Sequence, residues 1–544
     1  MRIDGAIILA LLCIALAARF VPLTVSPLPL SVDGFALARI SNGISVRGSW
    51  HIDPADVNSY NQKLPGFSIL WAAASMVGGL SPLLHLQLFV PLITAFTVLP
   101  AYLLGMKATG RRLGGFGAGL FVALFGSFLL LTSSAAKESI GLLVFPIAVL
   151  LFHERADPRK RALAVVLLAF LPFLHSLTTF LTLGMIASLV VLTHRRALAR
   201  GRFSVRAFAL DVATGPALAV AAWAYYVTVD LPFLSDVLAP DALTLFLAVV
   251  ALLTAFLAPL WRPVKTRVGR RFGSPLSRAI LPPAIGFALV LGNARTSLFA
   301  GVAGTQPGLL QVLPSIGVLA VFFVIGYQLA RRTRNRVNDL VVAMLVAPVA
   351  LVLFALVRGL DPESLLIAYR SFDFLDYGLA VLVAVGFIGA WKWLGPWRPA
   401  RVVLAVGFLA TLLMTTPMAW NTPAVFGVDN VTRTEEFHAL AYLVSLGARN
   451  VTTDERLADV GAMWFGYTTD PSLPVKLRDN QTVSEFDYAV VLERWTTAGA
   501  QIHPAPNVVL AQDTILAFLE ANRVLFVAGP QGDRIFIVKI LARS

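Results

Sequence analysis

The chain has 544 residues, of which 57% are hydrophobic and 14% are charged, and its mean hydropathy is +0.77. An ordinary soluble globular protein carries about 25% charged residues, so this composition excludes that class. The formal net charge is +14, but the basic residues stand in short segments between apolar runs. Basic residues in such positions orient a chain in the membrane, and this explanation is favoured over nucleic-acid binding. No nucleic-acid partner is expected. Because Cys13 is the only cysteine and the histidines lack zinc-ligand spacing, an internal disulfide and a Cys-based metal site are excluded.

Apolar runs close to 20 residues long recur through the first 420 residues. A helix needs about that length to cross the hydrocarbon core of a bilayer. The sequence therefore predicts an α-helical polytopic membrane protein with about thirteen spans, in a transmembrane domain over residues 1–420. Two runs are short, and Pro172, Pro282 and Pro283 predict broken or tilted helices there. In chain order, the predicted spans are 5–22, 82–105, 114–132, 139–153, 162–174, 177–193, 207–229, 242–260, 279–292, 309–330, 340–357, 378–394 and 402–420.

The first long loop covers residues 23–81 and contains the polar stretch "PLSVDGFALARISNGISVRGSWHIDPADVNSYNQKLPGF". Its candidate functional side chains are Asp33, His51, Asp53 and Asp56. Two interpretations of Asp33 stay open. Its side chain caps a helix that starts near Gly34, or its carboxylate is held at the membrane surface to meet a lipid-linked substrate. The apolar run at 66–79 is short, so an interfacial or re-entrant helix is predicted there.

Basic residues are distributed unevenly between the two predicted sides of the membrane. Six loops, at 107–112, 155–161, 195–206, 262–278, 331–336 and 392–401, hold 25 of them, whereas the opposite loops before residue 421 hold 7. The positive-inside rule then predicts a cytoplasmic N-terminus and an external C-terminal region. All three N-x-S/T sequons, at Asn430, Asn450 and Asn480, fall on the side predicted to be external.

Three further loops on the predicted outer side place titratable groups close to the membrane. Lys137 and Glu138 are adjacent in "SSAAKES", His175 stands in "LPFLHSLTT", and Arg370 stands in "AYRSFDFLDY". Each has a plain structural interpretation, since Glu138 suits the start of a helix and His175 suits an interfacial hydrogen bond. Charged groups at this depth are costly unless they are paired or used, and Arg binds phosphate bidentately. Together with Asp33 they predict a pocket in the outer leaflet.

The composition changes after residue 420. Residues 421–544 hold 10 basic and 14 acidic residues, and short β-rich runs alternate with helical ones. The runs "NVTTD", "FDYAVVLE", "RVLFVAG" and "DRIFIVKIL" predict strands, and "VAGPQGDR" carries the turn residues of a hairpin. The sequence therefore predicts a small extracytoplasmic α/β domain over residues 421–544.

This order of features resembles the GT-C superfamily of membrane glycosyltransferases. The predicted architecture has about thirteen spans and an external C-terminal domain. Among the members of the superfamily, it most resembles the catalytic subunit of archaeal oligosaccharyltransferase and its relatives. The segments that carry the resemblance are "DGFALARIS", "YNQKLPGFSILWAAASMVGGLSP", "AKES", "HSLTT" and the closing "NRVLFVAG…DRIFIVKI".

The resemblance implies transfer of a sugar from a polyprenyl-phosphate-linked donor at the outer membrane face. It implies that Asp33 is the catalytic acid/base or a metal ligand and that Glu138 is the second catalytic carboxylate. Lys137, Arg370 and His175 are the candidates for binding the donor phosphate. Dependence on a divalent cation, Mg or Mn, is left open.

The acceptor is less defined than the donor. His51, Asp53 and Asp56 are expected on the acceptor side, and the acceptor is a glycan, a lipid or a protein. The chain departs from the oligosaccharyltransferase pattern because it has no WWDYG motif, only "MWFGY" at 463–467, and no DxD in the first loop. A transferase of a single sugar, or one otherwise specialised, is therefore preferred over asparagine-directed transfer.

Two other functions stay open. A lipid or polysaccharide transporter or flippase would show charges and broken helices at mid-membrane, often in repeated halves, and this chain shows few such charges and no repeat. A non-catalytic membrane scaffold would use residues 421–544 as its binding module. All three functions share membrane lipids as partners.

Overall fold

The computed structural model describes residues 2–231, 246–247, 249–254, 284, 288, 291–292, 306–332, 337–358, 370–502 and 507–541. The predicted spans at 242–260 and 279–292, with Pro282 and Pro283, lie partly or wholly outside these residues. The predicted basic loop at 262–278 lies outside them as well.

The first half of the chain forms twelve described helices, because its apolar runs carry few helix-breaking residues. They are α1 Arg2–Phe20, α2 Asp33–Arg47, α3 Ser59–Gln62, α4 Gly66–Gly78, α5 Leu86–Thr94, α6 Val98–Thr109, α7 Arg112–Leu124, α8 Gly126–Ser133, α9 Lys137–His153, α10 Pro158–Leu174, α11 Ser176–Leu198 and α12 Val205–Thr228.

Four more helices complete the described part of the bundle. They are α13 Pro307–Arg332, α14 Val337–Arg358, α15 Asp376–Trp393 and α16 Arg398–Leu413. Eight segments of the described chain are long and apolar enough to cross a membrane, or nine if a bent helix pair counts as one crossing. The chain is therefore a multi-pass membrane protein, as predicted. The eight are Asp4–Thr24, Leu86–Thr109, Ser176–Leu198, Val205–Thr228, Pro307–Arg332, Val337–Phe354, Phe372–Trp393 and Arg398–Trp420.

Two predicted spans differ in detail from the structure. The single span predicted at 114–132 is two helices, α7 and α8, which meet at an angle of 62°. The bend follows from the extended backbone of Phe125 and from the close approach of Gly126, where a Cβ atom would stand 1.9 Å from the carbonyl oxygen of Thr415. A broken or tilted helix was predicted at Pro172; the break is wrong, because α10 continues to Leu174, and the tilt stays a prediction. Pro172 lies in the final turn, where packing against α9 and α11 supports the helix.

Helix α4 is the short apolar segment that follows the polar loop. Its 13 residues give a length of about 20 Å, which is less than the roughly 30 Å of a bilayer core. This length agrees with the prediction that the segment does not cross. Gly66 starts the helix where a Cβ atom would meet the carbonyl oxygen of Phe173 at 2.9 Å, so α4 is anchored beside the end of α10.

The C-terminal region contains a five-stranded sheet of order β2-β1-β3-β5-β4. Strands β1 to β3 are parallel, whereas β5 pairs antiparallel with β3 and β4. The strands are β1 Asn450–Thr452, β2 Thr468–Asp470, β3 Tyr488–Leu492, β4 Arg523–Ala528 and β5 Ile535–Lys539. The α/β class and the closing hairpin are confirmed. Strand β2 was not predicted, because Thr468–Asp470 contains no apolar residue and therefore shows no alternation of apolar and polar side chains.

Short helices connect the bundle to the sheet and cover its strands. They are α17 Pro417–Trp420, α18 Thr422–Phe426, α19 Thr434–Ser445, α20 Glu455–Val460, α21 Leu473–Arg478 and α22 Gln512–Glu520. A buried ion pair fixes α20 against α19, since both nitrogens of the Arg456 fork lie 2.8 Å from the Glu436 carboxylate oxygens. These guanidinium contacts lower the pKa of Glu436 below its ordinary value even though burial opposes them.

Candidate active site between the bundle and the C-terminal domain

The segment just before Asp33 is held by three separate parts of the chain. The Leu30 amide donates to the Gln87 side chain at 2.7 Å, and the Leu30 carbonyl accepts from the Ala135 amide at 2.9 Å. The Ser31 amide donates to the Asn430 carbonyl at 2.9 Å. Ser31 itself has a φ of 90°, a left-handed conformation that is uncommon for a residue other than glycine. The chain therefore enters α2 in an orientation set by helix α5, by the turn before α9 and by the C-terminal region.

Asp33 is the first residue of α2 and is half-buried. The capping interpretation is wrong, because Val32 takes the cap position and no side chain caps this helix. Within the part of the chain that the structure describes, the Asp33 carboxylate has no hydrogen bond and no ion pair. It nevertheless interacts electrostatically with Lys137 and His175, and with Asp459 of the C-terminal domain. Asp33 is therefore a carboxylate held among polar groups without a fixed partner.

Lys137 opens α9 beside Asp33. Its side chain is 6% exposed, and its ammonium donates to the Asn61 side-chain oxygen at 2.7 Å. The same ammonium lies 4.4 Å from the ring centroid of Tyr60, within the range of a cation–π contact. A buried ammonium needs such partners, and neither is a carboxylate. The positive charge of Lys137 is therefore stabilised without being neutralised.

Glu138 contacts one imidazole and one guanidinium group. One of its carboxylate oxygens lies 3.3 Å from Nε2 of His175 and 3.4 Å from a guanidinium nitrogen of Arg370. The other imidazole nitrogen of His175 lies 2.9 Å from the Thr178 hydroxyl, which fixes the ring. Glu138 and His175 are buried, whereas 39% of the Arg370 side chain is exposed. The predicted residues thus meet in one place, and the guanidinium is the group that a ligand could reach.

The three residues predicted on the acceptor side are divided by the structure. Asp53 and Asp56 line a cavity of about 490 Å³ together with Arg39 and residues of the "MWFGY" segment. Asp56 lies 3.4 Å from the Arg39 guanidinium, which also donates to the Met463 carbonyl at 3.3 Å. His51 is exposed and does not line this cavity. The cavity therefore joins the first loop to the C-terminal domain, and His51 stands apart from it.

Three residues of the site were not singled out in the sequence. Tyr60 and Asn61 stand in "YNQK", where an aromatic and an amide beside a membrane helix were the available signal. Asp459 left no signal, because it reaches the site only through the docking of the C-terminal domain. Burial is the main cause that raises the pKa of Asp459 to about 7, and the carboxylates of Glu455 and Asp33 raise it further.

The side chains of the site show whether they could coordinate a metal ion. Across the described ranges, no group of three or more His, Cys, Asp or Glu side chains is placed to hold a metal ion. Near Asp33 the charged side chains of the bundle are the cation Lys137 and the Glu138 carboxylate, which already contacts the His175 imidazole and the Arg370 guanidinium. The residues that the structure describes therefore do not fit a metal centre.

Comparison with solved structures shows which fold this is. The chain is similar to the oligosaccharyltransferase of Archaeoglobus fulgidus in the apo form, with a TM-score of 0.54 at 14% identity over 91% of this chain and 70% of that one. It is also similar to the oligosaccharyltransferase AglB of A. fulgidus in complex with an inhibitory peptide and a dolichol-phosphate, with a TM-score of 0.53 at 13% identity over 97% and 74% of the two chains. No family model matches the sequence, and no curated protein does. The chain has the GT-C membrane fold, and the resemblance seen in its sequence is confirmed.

Proposed function

We propose that this protein is a GT-C glycosyltransferase that moves a sugar from a polyprenyl-phosphate-linked donor to an acceptor. The observation that carries the proposal is the group formed by Asp33, Lys137, Glu138, His175 and Arg370. It combines one carboxylate without a fixed partner with an accessible guanidinium. It lies where the membrane helices meet the C-terminal domain. The fold supports the proposal, since a solved example with this architecture was obtained with dolichol-phosphate bound.

In the proposed reaction, Asp33 is the general base. An acceptor hydroxyl or amine attacks the anomeric carbon of the donor sugar and gives its proton to the Asp33 carboxylate. The bond from the acceptor atom to the anomeric carbon forms as the bond from that carbon to the phosphate oxygen breaks. The electron pair of the broken bond stays on the phosphate. A carboxylate without an ion pair suits this role because it remains available to a proton.

The departing phosphate gains negative charge during the step and needs cations nearby. Arg370 is proposed to bind it, because its guanidinium is partly exposed and is oriented by Glu138. Lys137 adds a buried positive charge whose partners are neutral. His175 is proposed to hold Glu138 in place rather than to bind phosphate directly. Glu138 is thereby a positioning residue in this proposal and the second candidate for the base.

The orientation of the chain is part of the same proposal. The excess of basic residues in alternate loops supports an N-terminus in the cytoplasm and the domain at 421–544 outside the cell. The site then opens at the outer leaflet, where a polyprenyl chain lies in the bilayer and its phosphate lies at the surface. The cavity that contains Asp53 and Asp56 is proposed to hold the acceptor.

The test uses the purified full chain in nanodiscs with radiolabelled polyprenyl-phosphate glucose, mannose and arabinose. Release of labelled sugar to water requires no knowledge of the acceptor. We expect release with at least one donor, and we expect Asp33→Asn to lower it by about 100-fold or more while donor binding persists. The matched control is Asp513→Asn, because Asp513 is an exposed carboxylate in the first turn of α22.

Each other outcome selects among the remaining functions. Binding of the three donors without release, in the wild type, favours a transporter or flippase, for which transfer of labelled lipid between leaflets is then measured. An absence of both binding and release favours a scaffold. Release that is equal in wild type, Asp33→Asn and Asp513→Asn would reject Asp33 as the base and direct attention to Glu138.

A further inference from the structure

A second polar cavity lies at the other end of the helices that build the site. Helix α9 begins with Lys137 and Glu138 and ends at His153, and α11 begins after His175 and carries His194 near its end. His153 and His194 both line a cavity of about 740 Å³. Sixteen residues of helix separate the two ends of α9, which corresponds to roughly 24 Å. The cavity therefore lies on the face of the bundle opposite the C-terminal domain.

This cavity is basic. Its lining cations are Lys107, Arg155, Arg161, Arg196, Arg200 and Arg202, and its lining acids are Glu154, Asp157, Asp211 and Asp339. With neutral histidines, six positive charges face four negative ones. The walls thus carry an excess of positive charge in a concave space, which concentrates anions.

The buried part of the wall is built around Asp211, which is 4% exposed. Its carboxylate accepts from Arg155 at 2.6 Å and from Arg161 at 2.8 Å, and it lies 2.8 Å from Nε2 of His194. One negative charge therefore holds two guanidinium groups and an imidazole. Arg155 and His194 are also buried, so the arrangement is a fixed feature of the interior rather than a set of mobile surface chains.

Two buried nitrogen atoms of the wall still lack a partner among the described residues. They are Nε of Arg161 and Nδ1 of His153. A buried N–H without an acceptor is unfavourable, so the Nε–H of Arg161 gives the wall unused capacity for an acceptor atom. Arg200 and Arg202, which follow the end of α11, add two exposed guanidinium groups on the same cavity. Several guanidinium groups around one space match the oxygens of a phosphate.

We infer that this cavity binds a phosphate-bearing ligand on the membrane face opposite the candidate active site. The phosphate is held by Arg161, Arg200 and Arg202, and Asp211 fixes the wall behind them. Two sources offer this chemistry: the headgroup of an anionic phospholipid in that leaflet, and a soluble phosphate. The inference is independent of the proposed transfer reaction.

The experiment compares two double variants of the full chain. Arg200→Gln with Arg202→Gln removes two exposed charges from the cavity, and Lys392→Gln with Arg398→Gln removes two exposed charges elsewhere. The second pair is matched because Lys392 lies in the last turn of α15, Arg398 begins α16, and neither residue lines the cavity. All four side chains are exposed, so folding is expected to persist in both variants.

One arm uses native mass spectrometry of protein released from mixed micelles of phosphatidylglycerol and phosphatidylcholine. The other arm titrates inorganic phosphate by calorimetry. We expect the cavity variant to lose at least about tenfold in retained phosphatidylglycerol or in phosphate affinity, whereas the control variant keeps the wild-type value. A loss in the lipid arm alone identifies the lipid as the source, and a loss in the phosphate arm identifies a soluble ligand. Equal binding by the two variants in both arms would overturn the inference.

Discussion

The two ends of helices α9 and α11 use the same device with opposite results. At the end beside the C-terminal domain, Glu138 holds His175 and Arg370, and Asp33 has no fixed partner among the residues that the structure describes. At the far end, Asp211 holds Arg155, Arg161 and His194. Arg200 and Arg202 add two exposed guanidinium groups to the same cavity.

A single buried carboxylate therefore positions guanidinium and imidazole groups at each end. The charged side chains that it does not bind differ in sign between the two ends, and that sign determines which chemistry each end can support. A remaining carboxylate is suited to accept a proton, whereas remaining guanidinium groups are suited to bind an anion. The comparison separates residues that build a polar wall from residues that act on a ligand. Each of the following variants tests one side of that separation.

The largest effect is expected at Arg370, the accessible cation of the candidate active site. Arg370→Gln removes the positive charge that is proposed to stabilise the departing phosphate, so sugar release should fall by about 100-fold. Release of labelled sugar in nanodiscs measures it, with Arg523→Gln on an exposed strand end as the control. A loss no greater than that of the control would remove Arg370 from the phosphate site.

Asp211→Asn tests the wall of the far cavity through stability. The variant leaves Arg155 buried without its carboxylate, which should cost about 3 kcal/mol of unfolding free energy. Thermal unfolding in detergent, followed by tryptophan fluorescence, measures the change. Asp157→Asn is the control on the same cavity, because Asn replaces Asp well as a helix cap and little change is expected. If both variants melt together, Asp211 does not organise this wall.

Glu138→Gln asks whether Glu138 positions other groups or acts on the substrate. In the positioning role, Arg370 and His175 keep a hydrogen-bond acceptor but lose their negative partner, so release should fall by only about tenfold. The exposed Glu520→Gln is the control. A decrease as large as that of Asp33→Asn would identify Glu138 as the base and reverse the two assignments.

The last prediction concerns Asp459 and is read from stability against pH. The folded-state pKa of about 7 is above the ordinary 3.8, so the folded domain keeps a proton that the unfolded chain releases. This stabilisation is complete below about pH 4 and is lost as the pH rises through 7. Asp459→Asn cannot ionise, so its melting temperature should gain on the wild type between about pH 5 and pH 8. A difference that is constant over this range would show that Asp459 ionises normally.

The sequence predicted those parts of the molecule that depend on local pattern. Apolar run length located the helices, and β-rich runs located four of the five strands, including the hairpin. The angle between α7 and α8 could not be predicted, because it depends on the contact of Gly126 with Thr415. Of the broken or tilted helix predicted at Pro172, the break is not observed, because α10 packs against α9 and α11 and continues to Leu174.

The candidate site was predicted only in part, because local sequence pattern reveals some of its residues and not others. Lys137, Glu138, His175 and Arg370 were found because each is polar in a short turn at the end of an apolar run. Asp459 comes from a domain whose docking no local pattern records. Asp211 was overlooked because it stands inside a predicted span, where its three partners come from other segments.

The bonds that hold the entrance to α2 also determine when the site becomes complete during synthesis. The Ser26 hydroxyl donates to the carbonyl of Thr432, which lies 406 positions later in the chain. At a translation rate of about 5–20 residues per second, roughly 20 to 80 seconds pass between these two residues. During that time the first loop has left the ribosome without its last support. A nascent chain that stops before residue 430 would therefore contain Asp33 but not the arrangement of residues around it.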